Sequence, residues 1–377
     1  MEPTATTTDA RYRGEVVYLF AFDIAYELSG VRATHLLGQK LQTYVVDTGK
    51  RSPKEAFFYR AGMVRLPPVE RQGPHGPISV ETVIKVLTVG AVSISIRVPF
   101  AVDRIEDLVG YHDLQLGDKP MAAEARELAR RVQQELIEYC QRPVTELAEE
   151  EAYTVFCLEA PLKTAQGQPV KGEEWLQQNS ATVACLLMQE TDAGQLARQE
   201  IRECTARHLS YYEYDLVVID WDAALVVDYP AHFEELVYVL ELANVQLAEL
   251  EAYDRLLDAT LAMPHHGMRD LSWRGRAAVL RNLRELRIEL TRFSDELLNI
   301  TKFFGDWHLA RIYQNVSARF HLADWHKIVD DKLRNIDSYY QLLQHDQTNR
   351  WMLILEATIV LLFIVDVALL IAGIGGK

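Results

Sequence analysis

Asp220-Trp221-Asp222 is the stretch of this sequence with the clearest chemical potential. Side chains alternate across a strand, so aspartates two positions apart place both carboxylates on one face. Acids paired this way can hold Mg²⁺ for phosphoryl or glycosyl chemistry, and Asp228 would join them if the strand ran on unbroken. The competing reading is a strand end whose acids are solvated, and no glycine-rich phosphate loop or general base stands nearby. The histidines argue less. His265-His266 lies at a Pro/Gly turn, and His321 and His326 lie near the start of the last soluble helix. Neither set has the HExxH spacing of a zinc site. GxxxxGK(S/T), GxGxxG and GxSxG are absent. No catalytic or cofactor-binding residue is therefore assigned, no cofactor is expected, and Asp220 and Asp222 stand as the metal candidates.

A second pair of acids, Glu356 and Asp366, sits inside the mostly apolar, 23-residue stretch from Trp351 to Gly373. As a helix this stretch measures roughly 34 Å, enough for a hydrocarbon core about 30 Å thick. An ionised acid deep in a bilayer costs on the order of 2.5–3.5 kcal/mol, so such groups face protein or water. Glu356 lies close enough to Trp351 to reach the interface. Asp366 is harder to place, because Val367 to Ala372 still follow. Ten residues separate the two acids, about 80° of net rotation, so both can turn toward one side. That placement suits self-association of the span, or a proton- or ion-sensing role. A buried core helix rarely runs so long without more polar residues. The stretch is expected to be a transmembrane anchor.

Net charge is −15, with 49% hydrophobic and 25% charged residues in 377. Such a composition builds a sizeable core. So acidic a body is repelled by nucleic-acid phosphates and anionic headgroups, which leaves membrane attachment to the anchor. Cys140, Cys157, Cys185 and Cys204 form no CxxC pair and read as reduced, packed thiols. The N-terminus, with Glu2 and Asp9 and no apolar run, lacks the marks of a secretory signal or a mitochondrial presequence. Lys327, Lys332, Arg334 and Arg350 precede the span and Lys377 follows it, a bias that places the body on the cytoplasmic side of an inner membrane.

The elements that must position these residues follow from periodicity. Residues 1–13 are expected to be a disordered tail, and 14–229 an α+β or α/β domain. Val16 to Phe22 reads as a strand buried on both faces. Thr34 to Tyr44 reads as a short helix. Pro67-Pro68 and Gly73-Pro74-His75-Gly76-Pro77 mark an irregular connection. Val92, Ile94, Ile96 and Val98 alternate with Ser93, Ser95 and Arg97, the pattern of a half-buried strand. Pro120 opens a helix, Tyr153 to Leu158 is a strand, 173–208 is helical with a strand at Thr182 to Met188, and Tyr212 to Asp228 supplies one or two strands.

From Pro230 to about 349 the pattern is helical. Leu236, Leu240, Ala243, Leu247, Leu250, Asp254, Leu257 and Leu261 form one 4-3 seam, and Val279 to Phe304 form another beyond the Pro264–Gly267 turn. Together they predict a coiled-coil-like hairpin or stalk leading to the span at 350–373. The seams can close within one chain or between chains, which leaves room for a homo-oligomer.

Three stretches resemble a known family: YDLVVIDWDAALVVDYP with ELVYVLELANVQLAELEAYDRLLD, then GDWHLARIYQNVSARFHLADWHKIVDDKLRNIDSYYQLL, then LEATIVLLFIVDV. Over about 210–373 the chain is similar to the membrane-anchored proteins named after "required for meiotic nuclear division", although Ala357 replaces an aromatic that often follows the first acid. The resemblance implies an anchored body with a helical stalk. The family's eukaryotic members are linked to mitochondrial translation and to cell division or nuclear positioning, with no catalytic residue set. The expected function is accordingly a single-pass, membrane-anchored scaffold whose body meets a cytosolic protein partner. The alternative is a membrane-tethered, metal-dependent hydrolase or transferase using Asp220 and Asp222.

Overall fold

A computed structural model describes residues 11–43 apart from 30 and 32, and 61–262 apart from 75, 113, 116–118, 165 and 193. It also describes 281, 288 and 307–374. The first half contains β1 (Tyr12–Asp23), β2 (Ala25–Leu28), β3 (His35–Leu36), β4 (Gln39–Lys40), β5 (Gln42–Thr43), β6 (Ala61–Arg65), β7 (Val69–Gly73), β8 (Gly76–Leu87), β9 (Ala91–Val102), α1 (Met121–Glu135) and β10 (Cys140–Pro143). Then come β11 (Glu151–Glu159), α2 (Gly172–Leu187), α3 (Arg198–Ala206), β12 (His208–Leu209), β13 (Leu216–Ile219), β14 (Ala223–Asp228) and α4 (Phe233–Ala262). Two further helices are α5 (Trp307–Arg319) and α6 (Leu322–Ile374).

Ten of the strands form one sheet in the order β12-β13-β14-β11-β1-β9-β8-β6-β5, with β7 paired to β8 beside that path, and β10-β2 and β3-β4 form two small ribbons. Its ladders are antiparallel except β11 with β14, which run parallel from Thr154↔Ala223 to Glu159↔Asp228. The connection between those two carries α2 and α3, as a parallel pair requires. The body is thus a mixed α/β domain, as its composition and periodicity predict.

Val16 to Asp23 of β1 shows why both faces must be covered, for Val16 to Phe22 are all buried. Val16, Tyr18, Phe20 and Phe22 join a core with Ala125, Ala129 and Val132 of α1 and Trp175 of α2. The opposite face carries Val17, Leu19 and Ala21, registered against Arg97, Ser95 and Ser93 of β9. Over it lies α4. Ser93 Oγ donates to Glu241 at 2.6 Å, Lys85 forms a buried ion pair with the same carboxylate, and Arg97 reaches Glu15 at 3.1 Å and Glu234 at 2.9 Å. Asn244 Nδ2 donates to the Glu151 carbonyl at 2.9 Å.

This polar layer corrects two expectations. The strand at 92–98 is buried on both faces, with Ser93 and Ser95 only 1% and 2% exposed, because Glu241 of α4 accepts from Ser93 and the Val83 carbonyl of β8 accepts from Ser95. And the expected solvent-facing side of α4 is covered over its first half: Leu236 to Leu250 are nearly all buried, Glu241, Asn244, Gln246 and Glu249 included.

Four local expectations also change. Thr34 to Tyr44 contains the short strands β3, β4 and β5, where Leu37 and Gly38 turn with positive φ of 52° and 74°. The proline-rich connection contains β7 and the start of β8, which pair from Val69↔Val80 to Gly73↔Gly76. Pro77 is tolerated there because β8 at that position pairs only with β7, its pairing with β9 and β6 starting at Glu81 and Val83. Thr182 to Met188 is the end of α2 with its cap, its apolar side chains buried against the core. Residues 12 and 13, placed in the expected tail, belong to β1, where Tyr12 pairs with Val102 and packs edge-on against Trp175 at 6.2 Å.

The chain divides into two compact units, residues 1–253 with 294–326, and residues 254–293 with 327–377. The first break thus falls twenty-three residues beyond Pro230. In the second unit Leu257, Val329, Leu333 and Ile336 are buried, and Lys332 bridges Asp254 at 2.6 Å and Asp258 at 2.7 Å. The expected seam at Val279 to Phe304, with His265-His266 at its turn, lies outside the described residues apart from helical 281 and 288. α6 includes Met352–Leu370, 19 residues of mean hydropathy 2.6 with none buried, the one described helix apolar and long enough to cross a membrane.

Candidate functional site

The two metal candidates do not share a face. β13 and β14 form a hairpin, and Asp220-Trp221-Asp222 is its turn, closed by Asp220 N–H to the Ala223 carbonyl at 2.9 Å. Period-two alternation stops where the chain turns. Asp220 is buried: its Oδ1 accepts the Trp221 N–H at 2.9 Å and forms an ion pair with Arg319. Asp222 is exposed. Among the described residues no group of three or more His, Cys, Asp or Glu side chains could hold a metal ion.

What the turn does hold is the end of α5. Tyr153 Oη donates to the Asp220 carbonyl at 3.0 Å, and its ring meets Phe320 edge-on at 5.0 Å. His321, left-handed at φ 50°, stacks on the half-exposed Trp221 with centroids 5.2 Å apart and planes 22° apart. The Arg319 guanidinium lies 5.8 Å from that indole centroid. Burial, then a hydrogen bond with Asp220, raises the Cys204 thiol pKa, so this cysteine is no nucleophile.

At the other end of the hairpin, Asp215 and Asp228 lie one register step beyond the Leu216↔Val227 pair. Each buried carboxylate pins an aromatic segment. Asp215 Oδ1 accepts the N–H groups of Tyr211 at 2.8 Å and Tyr212 at 3.0 Å. Asp228 Oδ1 accepts the Tyr229 N–H at 2.7 Å and pairs with His232 Nδ1 at 2.9 Å. Burial raises the Asp215 pKa, opposed by those two backbone bonds and by His308. The loop is also locked to α2, whose Gly172 N–H donates to the Glu213 carbonyl at 2.9 Å. A Cβ on Gly172 would collide with the Asp215 carbonyl.

The aromatic side chains held this way face solvent. Tyr211, Tyr212 and Tyr229 are 55%, 63% and 51% exposed, and Trp307 at the start of α5 is 77% exposed. Tyr211 and Tyr212 stand perpendicular, 4.7 Å between centroids, with His308 tilted 5.3 Å from Tyr211. The sequence reading missed this face: its signal, YYEYD followed by DYP, lies inside the run searched for paired acids. Glu356 and Asp366 are both exposed on the apolar segment of α6.

Comparison with known proteins places this region in context. A family model described as "Uncharacterized protein MJ0711, N-terminal domain" matches residues 13–234. That span takes in the sheet from the second residue of β1 onward and both ends of the β13–β14 hairpin. The uncharacterized protein MJ0711 of Methanocaldococcus jannaschii is 24% identical over 225 residues, covering 59% of this chain and 67% of that protein. No solved structure matches.

Proposed function

We propose, for a chain that belongs to the MJ0711 N-terminal domain family, the role of a membrane-anchored interaction protein without catalytic chemistry of its own. Its α/β body is presented to a protein partner on the cytoplasmic side. One observation carries the anchoring: Met352–Leu370 exposes Leu, Ile, Val and Phe side chains along its whole length, an apolar surface that water would not tolerate and that lipid covers. The basic flank Lys327, Lys332, Arg334 and Arg350 supports a cytoplasmic body. The resemblance of 210–373 to the "required for meiotic nuclear division" proteins supports the same arrangement. The pairing of Asp220 with Arg319, and Asp222 standing apart from it, favour this reading over the enzymatic alternative.

Fractionation tests the reading. The full chain is expected in membranes through a high-salt wash, and a variant lacking 352–370 is expected in the soluble fraction with an unchanged melting temperature for the body. Protease added outside spheroplasts should leave the body intact. A deletion variant that stays in the washed pellet, or a full chain released by salt, refutes the anchor; digestion from outside refutes the orientation.

A further inference from the structure

We infer that the apolar segment of α6 is a contact surface as well as an anchor, and that it pairs with the same segment of a second copy of this chain. Met352, Glu356, Ile359, Phe363, Asp366 and Leu370 follow one another at spacings of 4, 3, 4, 3 and 4. At about 100° per residue all six lie within about 80° of the helix circumference, one stripe that contains both acids of the segment. That spacing is the seam of helices packed with a left-handed twist, a geometry common inside membranes as in soluble coiled coils. Glu356 and Asp366 are exposed, and among the described residues neither has a hydrogen-bond or ion-pair partner. Thr358, the other polar side chain of Met352–Leu370, lies off the stripe and donates its hydroxyl to the Ile354 carbonyl at 2.7 Å. The polar groups still in need of a partner are thus the two on the seam.

Depth selects the occupant. Lipid tails cover leucine and isoleucine but offer no hydrogen bond to a carboxyl group. Whatever covers the stripe must therefore carry polar groups at two depths, about 15 Å apart along the helix axis. A second copy does so by construction. The same anchor and the same basic flank insert it in the same direction and to the same depth, so a parallel pair related by a two-fold axis sets each acid against its own counterpart. Two carboxyl groups at such a contact hold one proton between them, one oxygen donating and the other accepting. Sliding one helix along the other separates both acids from their counterparts at once. The acids therefore fix register and direction, as a buried polar residue does in the seam of a coiled coil.

The inference rests on the membrane-anchor reading, and its test separates the two. Ile359→Cys, Phe363→Cys, Leu361→Cys and Val365→Cys are made singly in the full chain, and salt-washed membranes are oxidised with copper phenanthroline. The chain without an added cysteine sets the background from Cys140, Cys157, Cys185 and Cys204. Ile359→Cys and Phe363→Cys, on the stripe, are expected to give a disulfide-linked product of twice the chain's mass. Leu361→Cys and Val365→Cys, on the far side of the helix, are expected to stay at background. Energy transfer between full chains in liposomes, labelled at the C-terminus with donor or acceptor, measures the affinity. Asp366→Ala is expected to weaken it by about three- to thirty-fold, the range of one interhelical hydrogen bond in lipid. Asp366→Asn, whose amide both donates and accepts, is expected to retain it, and Leu361→Ala to leave it unchanged. Uniform or background cross-linking at all four positions, cross-linking only to another protein, or equal affinity of Asp366→Ala and the native chain overturns the pairing while the anchor stands. A full chain absent from the washed membrane refutes the anchor, and the pairing with it.

Discussion

Removing Asp215 separates the hydrogen-bonding role of this residue from its charge. Asp215→Ala leaves the N–H groups of Tyr211 and Tyr212 without the acceptor they share. Hydrogen bonds to a charged group contribute about 1.5–3 kcal/mol each, and the exposed tyrosines let water reach part of the loop, so a total loss of about 2–4 kcal/mol is expected. In a domain of this size that lowers the melting temperature by about 5–12 °C. Asp215→Asn keeps an acceptor oxygen and removes the buried charge. Because burial raises the Asp215 pKa above its usual 3.8, the folded protein holds this proton more tightly than the unfolded chain. The contribution of that proton to stability is full below the unfolded value and is lost as pH rises through the folded one. Asp215→Asn should therefore match or exceed the native protein near pH 7, with the two converging toward pH 4. Thermal melts followed by near-ultraviolet circular dichroism at both pH values decide it. Equal losses for the Ala and Asn variants would show that neither bond holds the loop.

Lys85→Met and Glu241→Leu should each cost about 3–5 kcal/mol by stranding a buried charge, whereas the double variant should return to within about 1 kcal/mol of the native protein; urea titrations of the three measure the coupling. Gly172→Ala forces a Cβ against the Asp215 carbonyl, so a loss of about 1–3 kcal/mol is expected in thermal melts, which Gly110→Ala, where a Cβ meets open space, does not reproduce.

Where one force acted alone, the sequence was legible. The unbroken apolar run at Val16 to Phe22 could only be a doubly buried strand, and β1 is one. Pro120 marked the start of α1 because it supplies a fixed φ and lacks only a donor that the first turn leaves free. The span at 351–373 stood out for its length and apolar composition, and it contains the apolar segment Met352–Leu370 of α6. The Asp220-Trp221-Asp222 site failed for a local reason. Spacing of two puts acids on one face only while the strand continues, and here the chain reverses at Trp221. Nothing in the spacing indicated that Arg319, nearly a hundred residues away, occupies Asp220.

The seam of α4 misled for a deeper reason. Leucines at 4-3 spacing describe a helix with one apolar stripe, and the polar residues between them are then assigned to solvent. Glu241, Asn244 and Glu151 show why that assignment fails on a sheet whose residues are themselves polar. Ser93, Lys85 and Arg97 alternate out of β8 and β9 as if toward water, and the acids of α4 alternate out of the helix in the same way. Each set looks exposed only because its partner is far off in sequence. Matched across the interface, the two polar stripes satisfy one another in a buried layer. The same complementarity governs the hairpin: Asp215 and Asp228, which look like site acids in a list of residues, are consumed in holding Tyr211, Tyr212 and Tyr229 in place. The buried acids of this hairpin are structural, and what they hold in place is an exposed aromatic face.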